Sequence, residues 1–247
     1  MILILWKTSK LQTWLRIDTM NISVIIPAFN EADSITQTVE KVRKHSDGHI
    51  WETIVVDGGS TDQTIQKVEA TTAKIIESPE KGRAAQMNFG AKQAKGEILY
   101  FLHADTHPPH NFDNSIKKAV IQGHKAGCFQ LDFDDDHFLL QLYGWFTRFD
   151  IDLFRFGDQS LFITKNAFRK LQGFHEDHIV MEDQEFVRRI KQKFSFIILD
   201  KHVITSAQKY RDNGIIKLQL VFTLILLFYY IGIDQDKLVA IYKQFID

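Results

Sequence analysis

Two stretches near the start of the chain decide the fold: ISVIIPAFNE at residues 22–31 and TIVVDGGSTD at residues 53–62. Each begins with an almost unbroken apolar run, which is typical of a strand that is covered on both faces of a sheet. Between them, Ile35, Val39 and Val42 recur at the spacing of one helix face. The order strand, helix, strand predicts a right-handed crossover between two parallel strands.

The same alternation continues along the chain. Apolar runs predict further strands at 74–78, 97–105, 128–133, 160–165 and 196–200. Helical patterns lie between them at about 83–94, 137–149 and 182–193, and one more helix follows Pro109. Ser34 with Gln37, and Ser60 with Gln63, have the spacing of capping boxes. Alternating strands and helices predict an α/β fold with a mostly parallel central sheet.

The domain organisation follows from the absence of a Pro/Gly-rich linker between the two halves. We expect one domain over residues 20–212. Residues 1–19 are interpreted as an N-terminal extension. Residues 213–247 are interpreted as apolar C-terminal helices that pack on the domain or lie at the membrane surface.

The overall composition excludes several classes of protein. The 247 residues include 30 Lys+Arg and 31 Asp+Glu, which gives a net charge of -1, and 45% are hydrophobic. These values exclude a disordered chain, and they argue against a nucleic-acid-binding protein, which needs clustered positive charge. The single cysteine, Cys128, can form no internal disulfide, which indicates a reducing, cytoplasmic compartment.

The segment 218–233, LQLVFTLILLFYYIGI, contains no charged side chain. It is shorter than the roughly 20 residues that a membrane-spanning helix needs. The sequence leaves open a helix buried in the domain and a helix at the membrane interface, with the protein peripheral on the inner face of the cell membrane. A true membrane span is the least favoured alternative.

Charged residues follow several of the predicted strands. Asp57 and Asp105 each end a buried apolar strand, where a lone carboxylate is costly unless it binds a partner. Lys81 and Arg83 precede a predicted helix, whose N-terminus favours phosphate. Because ligands bind at the carboxyl ends of parallel strands, this edge is suited to a nucleotide diphosphate with Mg²⁺ or Mn²⁺. The chain has no GxxxxGK[ST] motif and no GxGxxG after a strand, which argues against P-loop and dinucleotide sites.

Five motifs, in this order, resemble glycosyltransferase family 2, whose members have the GT-A type, Rossmann-like fold. They are VIIPAFNE (24–31), VVDGGSTDQT (55–64), KGRAAQMNFGAKQAKGEILYFLHADT (81–106), FGDQSLF (156–162) and MEDQEFVRRI (181–190). The resemblance covers roughly residues 21–210 and is nearest to short bacterial members associated with radical-SAM and selenoprotein-domain genes. It implies a metal-dependent, non-processive enzyme that moves a sugar, with inversion, from a nucleotide-diphosphate donor to an acceptor hydroxyl. The apolar C-terminal segment favours a lipid-linked or small hydrophobic acceptor.

The resemblance also implies roles for individual residues. The nucleotide-binding positions are Pro27, Phe29, Glu31, Asp57, Lys81 and Arg83. Asp105 matches the last acid of the metal-binding Asp-x-Asp motif, and His103 stands in place of the first acid, so its part in metal binding is left open.

The second half of the chain supplies the remaining positions that the resemblance implies. Asp183 is expected to be the catalytic base, with Glu182 orienting it. The expected acceptor-side loop is Gly157, Asp158 and Gln159. Lys209 and Arg211 are candidates for binding the diphosphate.

Two other functions compete with this interpretation. A sugar-phosphate nucleotidyltransferase has a similar sheet, but it would need a Gly-rich loop with an arginine after the first strand, where this chain has PAFNE. A non-catalytic protein that binds a sugar nucleotide or a membrane is the other alternative, because His103 and Gln208 depart from the family pattern.

Overall fold

The structure, a computed structural model, describes residues 20–155 and 157–245. In this part of the chain an eight-stranded sheet forms the centre. Its strands are β1 (Ile22–Ala28), β2 (Ile50–Asp57), β3 (Lys74–Glu77), β4 (Ile98–Phe101), β5 (Thr106–His107), β6 (Ala126–Phe133), β7 (Leu161–Thr164) and β8 (Phe196–Thr205). Their order in space is β3-β2-β1-β4-β7-β6-β8-β5, and β5 and β7 run antiparallel to the others. The predicted mostly parallel α/β sheet is confirmed.

Helices cover both faces of this sheet. They are α1 (Ile35–His45), α2 (Thr64–Glu69), α3 (Arg83–Gln93), α4 (Phe112–Ile121), α5 (Phe138–Phe146), α6 (Lys165–Lys170), α7 (Glu182–Lys193), α8 (Gln208–Asn213), α9 (Ile215–Tyr230) and α10 (Gln235–Phe245). Helices α1 and α4 pack with Val24 and Ile26 on one face, and α3, α6 and α7 pack with Ile25 on the other. Because both faces are covered, every residue of β1 is buried, which explains its unbroken apolar run.

The carboxyl ends of the central strands form the edge at which the predicted site residues gather. Ala28 at the end of β1 pairs with Asp57 at the end of β2. Strand β4 ends at Phe101, four residues before the predicted end, so the prediction for this strand was too long. The chain then turns across the sheet edge, where Ala104 O accepts a 2.7 Å hydrogen bond from Thr38 Oγ1. This turn brings His103 and Asp105 beside the end of β1.

Helix α3 packs unusually close to the sheet. A Cβ atom at Gly90 would lie 2.6 Å from Ile25 Cγ2 and 2.9 Å from Val56 Cγ2, so only glycine permits this approach. At the start of the helix, Gln86 Nε2 donates hydrogen bonds of 2.8 Å to both Ala28 O and Val56 O. The buried amide therefore joins α3 to the ends of β1 and β2 and fixes Arg83, one turn earlier, at the sheet edge.

The apolar C-terminal segment forms α9, which packs against α10 in a cluster of its own. Leu218, Val221 and Ile225 are buried, together with Leu238 of α10. Among the described residues no helix is long and apolar enough to cross a membrane. The division of the chain at residue 212 remains a prediction, and residues 1–19 lie outside the described part.

Candidate active site

A cavity of about 230 Å³ opens at the carboxyl ends of β1 and β4. Its lining joins residues that are far apart in the sequence: Pro27, Ala28, Phe29, Glu31, Arg83, Gln86, His103, Ala104, Asp105, Asp158 and Lys209. The structure therefore brings together predicted nucleotide-binding, metal-binding and acceptor-side positions. Gln86 and Ala104 were not among the sequence-based candidates. The only sequence signal for Gln86 is a polar residue on the buried face of α3.

The loop after β1 is locked to the loop after β2. Asn30 has a φ of 56°, and its Oδ1 accepts a 2.8 Å hydrogen bond from Thr61 N. Glu31 N donates to Thr64 Oγ1 at 2.8 Å. Phe29, which lies between β1 and Asn30, keeps 55% of its surface exposed at the cavity. A rigid loop with an exposed aromatic ring is suited to stacking against a flat group such as a nucleobase.

Asp57, at the end of β2, is held by the loop that follows it. Its side chain is buried, and Oδ2 accepts hydrogen bonds from Gly59 N at 2.8 Å and Ser60 N at 2.9 Å. Ser60 Oγ donates to the other carboxylate oxygen. Asp57 therefore shapes the loop after β2, and its carboxylate is not among the groups that line the cavity. The predicted contact with the base or ribose remains a prediction.

The two acids at the start of α7 lie beside the cavity. Glu182 is buried and accepts a 3.2 Å hydrogen bond from Arg83 Nη1. Asp183 lies against Gly157 and is 15% exposed, with its Oδ2 4.0 Å from His103 Nε2. Burial, reinforced by the neighbouring negative charge of Glu182, raises the pKa of Asp183 to about 7. A carboxylate with this pKa is suited to accept a proton near neutrality.

His103 connects this acid to the acceptor-side loop. Its Nδ1 lies 2.8 Å from Asp158 Oδ1. Burial and the charge of Arg83 would lower the pKa of His103, but the carboxylates of Asp158 and Asp183 outweigh them and raise it. Burial would raise the pKa of Asp158, but the hydrogen bond and charge of His103 outweigh it and lower this pKa to about 2. His103 therefore lies between two carboxylates that favour the protonated form of its ring.

The oxygen atoms available to a divalent cation come from Glu31 and Asp105. Burial raises the pKa of Glu31, and the negative charge of Asp105 adds to this effect. Two carboxylates that repel each other in a polar cavity fit a cation that prefers oxygen ligands. His103 fits the role of ligand less well, because its two ring nitrogens face Asp158 and Asp183.

Other predicted residues, like Asp57, are not among those that line the cavity. Gln159 is buried, and its Oε1 accepts a 2.7 Å hydrogen bond from Arg155 Nη1, so its acceptor-side role remains a prediction. Arg211 forms ion pairs with Asp134 and Asp135, away from the lining. Lys81 is exposed and does not line the cavity. Lys209 does line it.

Comparison with known proteins identifies the family. The sequence profile of Glycosyl transferase family 2 matches residues 23–180, more than half of the chain. The chain belongs to this family. The prediction that it is a family 2 glycosyltransferase is thereby confirmed. The family match ends two residues before Glu182, so the assignment of the acids in α7 depends on the geometry above.

Two relatives match different fractions of the chain. The chain is 32% identical over 96 residues to a dolichol-phosphate mannosyltransferase of Pyrococcus furiosus, a match that covers 36% of this chain and only 27% of that enzyme. It is 29% identical over 178 residues to an uncharacterized glycosyltransferase of Mycobacterium tuberculosis, with 68% of each chain covered.

A solved structure confirms the GT-A fold. A mannosyltransferase from Pyrobaculum calidifontis, in complex with GDP-Man and Mn²⁺, superposes with a TM-score of 0.64. The superposition has 20% sequence identity and covers 85% of this chain and 64% of that one.

Asp183 can occupy its position because residue 157 is a glycine and has no Cβ atom. A methyl group built at Gly157 would overlap with Asp183 Oδ2 and lie 2.8 Å from His103 Cε1. We expect Gly157→Ala to displace Asp183 and to lower the transfer rate about 100-fold, the scale expected for a misplaced catalytic group, while donor binding is retained. Steady-state kinetics with calorimetric donor titration would measure both. Gly48→Ala, just before the start of β2, is the control: a methyl group there meets no atom within 4 Å, and the strain at its φ of 93° acts away from Asp183. Equal rates in the two variants would contradict the assignment.

Proposed function

We propose that this protein moves a sugar from a nucleotide-diphosphate donor to an acceptor hydroxyl in a single displacement that inverts the anomeric carbon. The observation that carries the proposal is the position of Asp183, an acid with a pKa of about 7, beside a cavity that also contains Arg83 and Lys209. The positive charges of Arg83 and Lys209 suit a diphosphate, and Asp183 suits an acceptor hydroxyl that must lose a proton.

The residues can be assigned to the parts of this reaction. The acceptor oxygen forms a bond to the anomeric carbon, the bond from that carbon to the diphosphate oxygen breaks, and Asp183 takes the acceptor proton. Arg83 and Lys209 place positive charge where negative charge develops on the departing diphosphate. His103 holds Asp158 in the acceptor-side loop through its 2.8 Å contact.

A divalent cation completes the proposed donor site. Glu31 and Asp105 would hold it, and when bound it would neutralise the diphosphate and stabilise its departure. The Mn²⁺ in the Pyrobaculum calidifontis complex supports this part of the proposal. Calorimetry with each cation would show whether Mg²⁺ or Mn²⁺ supports donor binding.

The proposed acceptor is lipid-linked, and the protein is proposed to meet it at the membrane surface. Helix α9 presents an exposed apolar stripe, and a second group of exposed apolar side chains lies on α5 and the loop that follows it. The stripe is formed by Ile216, Leu220, Leu224, Leu227 and Ile231, and the second group by Phe138, Trp145, Phe149, Ile151 and Leu153. Spacings of three and four residues place the stripe on one side of α9.

Both apolar surfaces border the helix that begins with the catalytic acids. Arg188 of α7 donates a 3.2 Å hydrogen bond to Tyr229 Oη of α9. On the other side, Lys191 of α7 contacts Asp152 Oδ1 at 2.6 Å, next to Leu153. A lipid chain at these surfaces would lead toward Asp183. The relative that acts on dolichol phosphate supports an acceptor of this kind.

The base assignment predicts the behaviour of Asp183→Asn. This variant should bind the donor as the unchanged protein does. Its transfer rate should fall about 10²–10⁴-fold, because an asparagine amide cannot take the proton from the acceptor hydroxyl. Transfer would be followed with UDP- and GDP-sugars and a lipid-linked acceptor that carries a free hydroxyl, and donor affinity by calorimetry. Asp136→Asn, at an exposed aspartate, is the matched control. Wild-type turnover in Asp183→Asn would show that the base lies elsewhere.

The raised pKa of Asp183 predicts a pH profile. Only the deprotonated carboxylate can accept a proton, so kcat/KM should rise with pH up to about 7 and level off above it. The rising limb should disappear from the residual activity of Asp183→Asn. A profile that is flat through neutrality in the unchanged protein would contradict the assignment.

The metal assignment predicts the behaviour of Asp105→Asn. Nucleotide-diphosphate binding should depend on Mn²⁺ or Mg²⁺ in the unchanged protein and lose that dependence in the variant, because one of two carboxylate ligands is removed. Calorimetry with UDP and GDP, with and without each cation, measures this. Asp132→Asn, at another exposed aspartate, should behave as the unchanged protein does. Unchanged metal-dependent affinity in Asp105→Asn would remove the assignment.

The membrane proposal predicts weaker vesicle binding by the double variant Leu220→Glu, Leu227→Glu. Each buried leucine contributes about 1.5–3 kcal/mol, so the partition coefficient should fall by more than about tenfold per site. Co-sedimentation with phosphatidylcholine and phosphatidylglycerol vesicles measures it. Ile121→Glu, which removes an exposed isoleucine on α4, is the control. Equal sedimentation of all three proteins would contradict the proposal.

A further inference from the structure

The loop that leads into α7 carries three side chains able to bind a metal ion. They belong to His175, Asp177 and His178, and their ligand atoms all lie within 4.8 Å of one another. None of them lines the cavity described above. Within residues 20–155 and 157–245 no second group of three such side chains is found. We propose that this loop is a second cation site, separate from the catalytic one, that binds a divalent transition-metal ion of the Zn²⁺ type.

The donor atoms select the class of metal. Two imidazole nitrogens and one carboxylate oxygen form a mixed set that suits Zn²⁺, whereas Mg²⁺ and Ca²⁺ prefer oxygen alone. The ligand atoms of a tetrahedral zinc site lie roughly 3.3 Å apart, as bonds of about 2.0–2.1 Å require. His178 Nδ1 and Asp177 Oδ1 are already 3.0 Å apart. Small rotations of these partly exposed side chains would close the remaining distances, and water would complete the coordination.

A carboxylate behind His175 supports the assignment. Glu185 Oε1 lies 3.5 Å from His175 Nδ1, which leaves Nε2 of that ring directed away from the carboxylate. Glu185 is itself fixed by Arg189, whose Nη2 lies 2.7 Å from Oε2. A histidine that binds a metal through one nitrogen usually donates its other N–H to such a carboxylate, which holds the ring and strengthens the ligand.

The backbone of the loop is fixed on both sides of the three ligands. Asn88 Nδ2 donates to Phe174 O at 2.9 Å, just before His175. Gln235 Oε1 of α10 accepts hydrogen bonds of 3.1 Å from Ile179 N and Val180 N, just after His178. Because the loop is already ordered by these contacts, little conformational entropy is lost when a cation binds.

The site lies where a cation could influence both α7 and the C-terminal helices. Val180 is followed by Met181, with a φ of 64°, and then by Glu182 and Asp183. The ring of His178 packs edge-on against Tyr229 of α9, with centroids 6.2 Å apart. A bound ion would therefore stabilise the contact between the loop, the start of α7 and helix α9.

The test uses the full chain with its purification tag removed and its metals extracted by a chelator. Zn²⁺ is titrated into the Asp105→Asn variant, so that the proposed catalytic cation site does not contribute. We expect one Zn²⁺ per chain, a higher Tm on binding, and no competition from Mg²⁺. The double variant His175→Ala, His178→Ala in the same background should lose this binding and the Tm increase, and Glu185→Gln should weaken binding about tenfold.

The matched control is the double variant His124→Ala, His137→Ala, which removes two histidines outside the loop. It should bind Zn²⁺ as its parent does. Absence of saturable Zn²⁺ binding in the parent would overturn the proposal. Equal binding by the two double-histidine variants would overturn it as well. Neither result depends on transferase activity, so the proposed function stands or falls separately.

Discussion

The balance of charge in one small cavity constrains the rest of the structure. The carboxyl groups at or beside it are those of Glu31, Asp105, Asp158, Glu182 and Asp183, and the cations are Arg83 and Lys209, joined by His103 when its ring is protonated. Five acidic groups against at most three positive ones leave at least two without a partner when all five are ionised, and burial makes such charges costly. The raised pKa of Asp183 relieves part of this excess by keeping a proton on the acid up to about pH 7. The cation that we propose at Glu31 and Asp105 would offset the remainder, and the bound diphosphate would in turn need that cation.

Much of the fold could be predicted because burial on both faces leaves a clear sequence pattern. Strand β1 reads as an unbroken apolar run because helices cover it on each side. Strand β4 was predicted too long, since its end is set by the turn to β5, which pairs with distant β8.

The predicted capping boxes at Ser34 and Ser60 were wrong because both hydroxyls bond to other partners. Ser34 makes no cap bond and donates to Glu31, and Ser60 donates to Asp57. Local spacing cannot show that a hydroxyl is used by the site instead of the helix.

Motif residues could be predicted to gather at one edge of the sheet, whereas contacts with a distant loop could not. The motifs point to residues that are close in the structure and whose roles remain predictions: Glu31 and Asp105 line the cavity, and Asp183 lies beside it. They could not show that Gln159 turns inward, because its partner Arg155 is a buried arginine that also binds Thr147 O. This arginine fixes the loop that carries Gly157 and Asp158. A guanidinium that bonds to backbone carbonyls has no spacing rule, so its effect on the site appears only in three dimensions.

In the proposed mechanism, helix α7 joins the chemistry to the acceptor surface. Its first two residues are the proposed catalytic acids, Arg188 in its middle contacts Tyr229 of α9, and Lys191 near its end contacts the loop at Asp152. The family profile ends at residue 180, just before this helix begins. The sheet edge at which we propose that the donor binds lies largely within this profile. The part of the chain beyond the profile carries the proposed base and the apolar stripe of α9, whereas the second apolar group, on α5 and the loop after it, lies within the profile. Acceptor choice should accordingly depend on α7 and α9, and a change at the contact between them would alter which acceptor reaches Asp183 while leaving the nucleotide site intact.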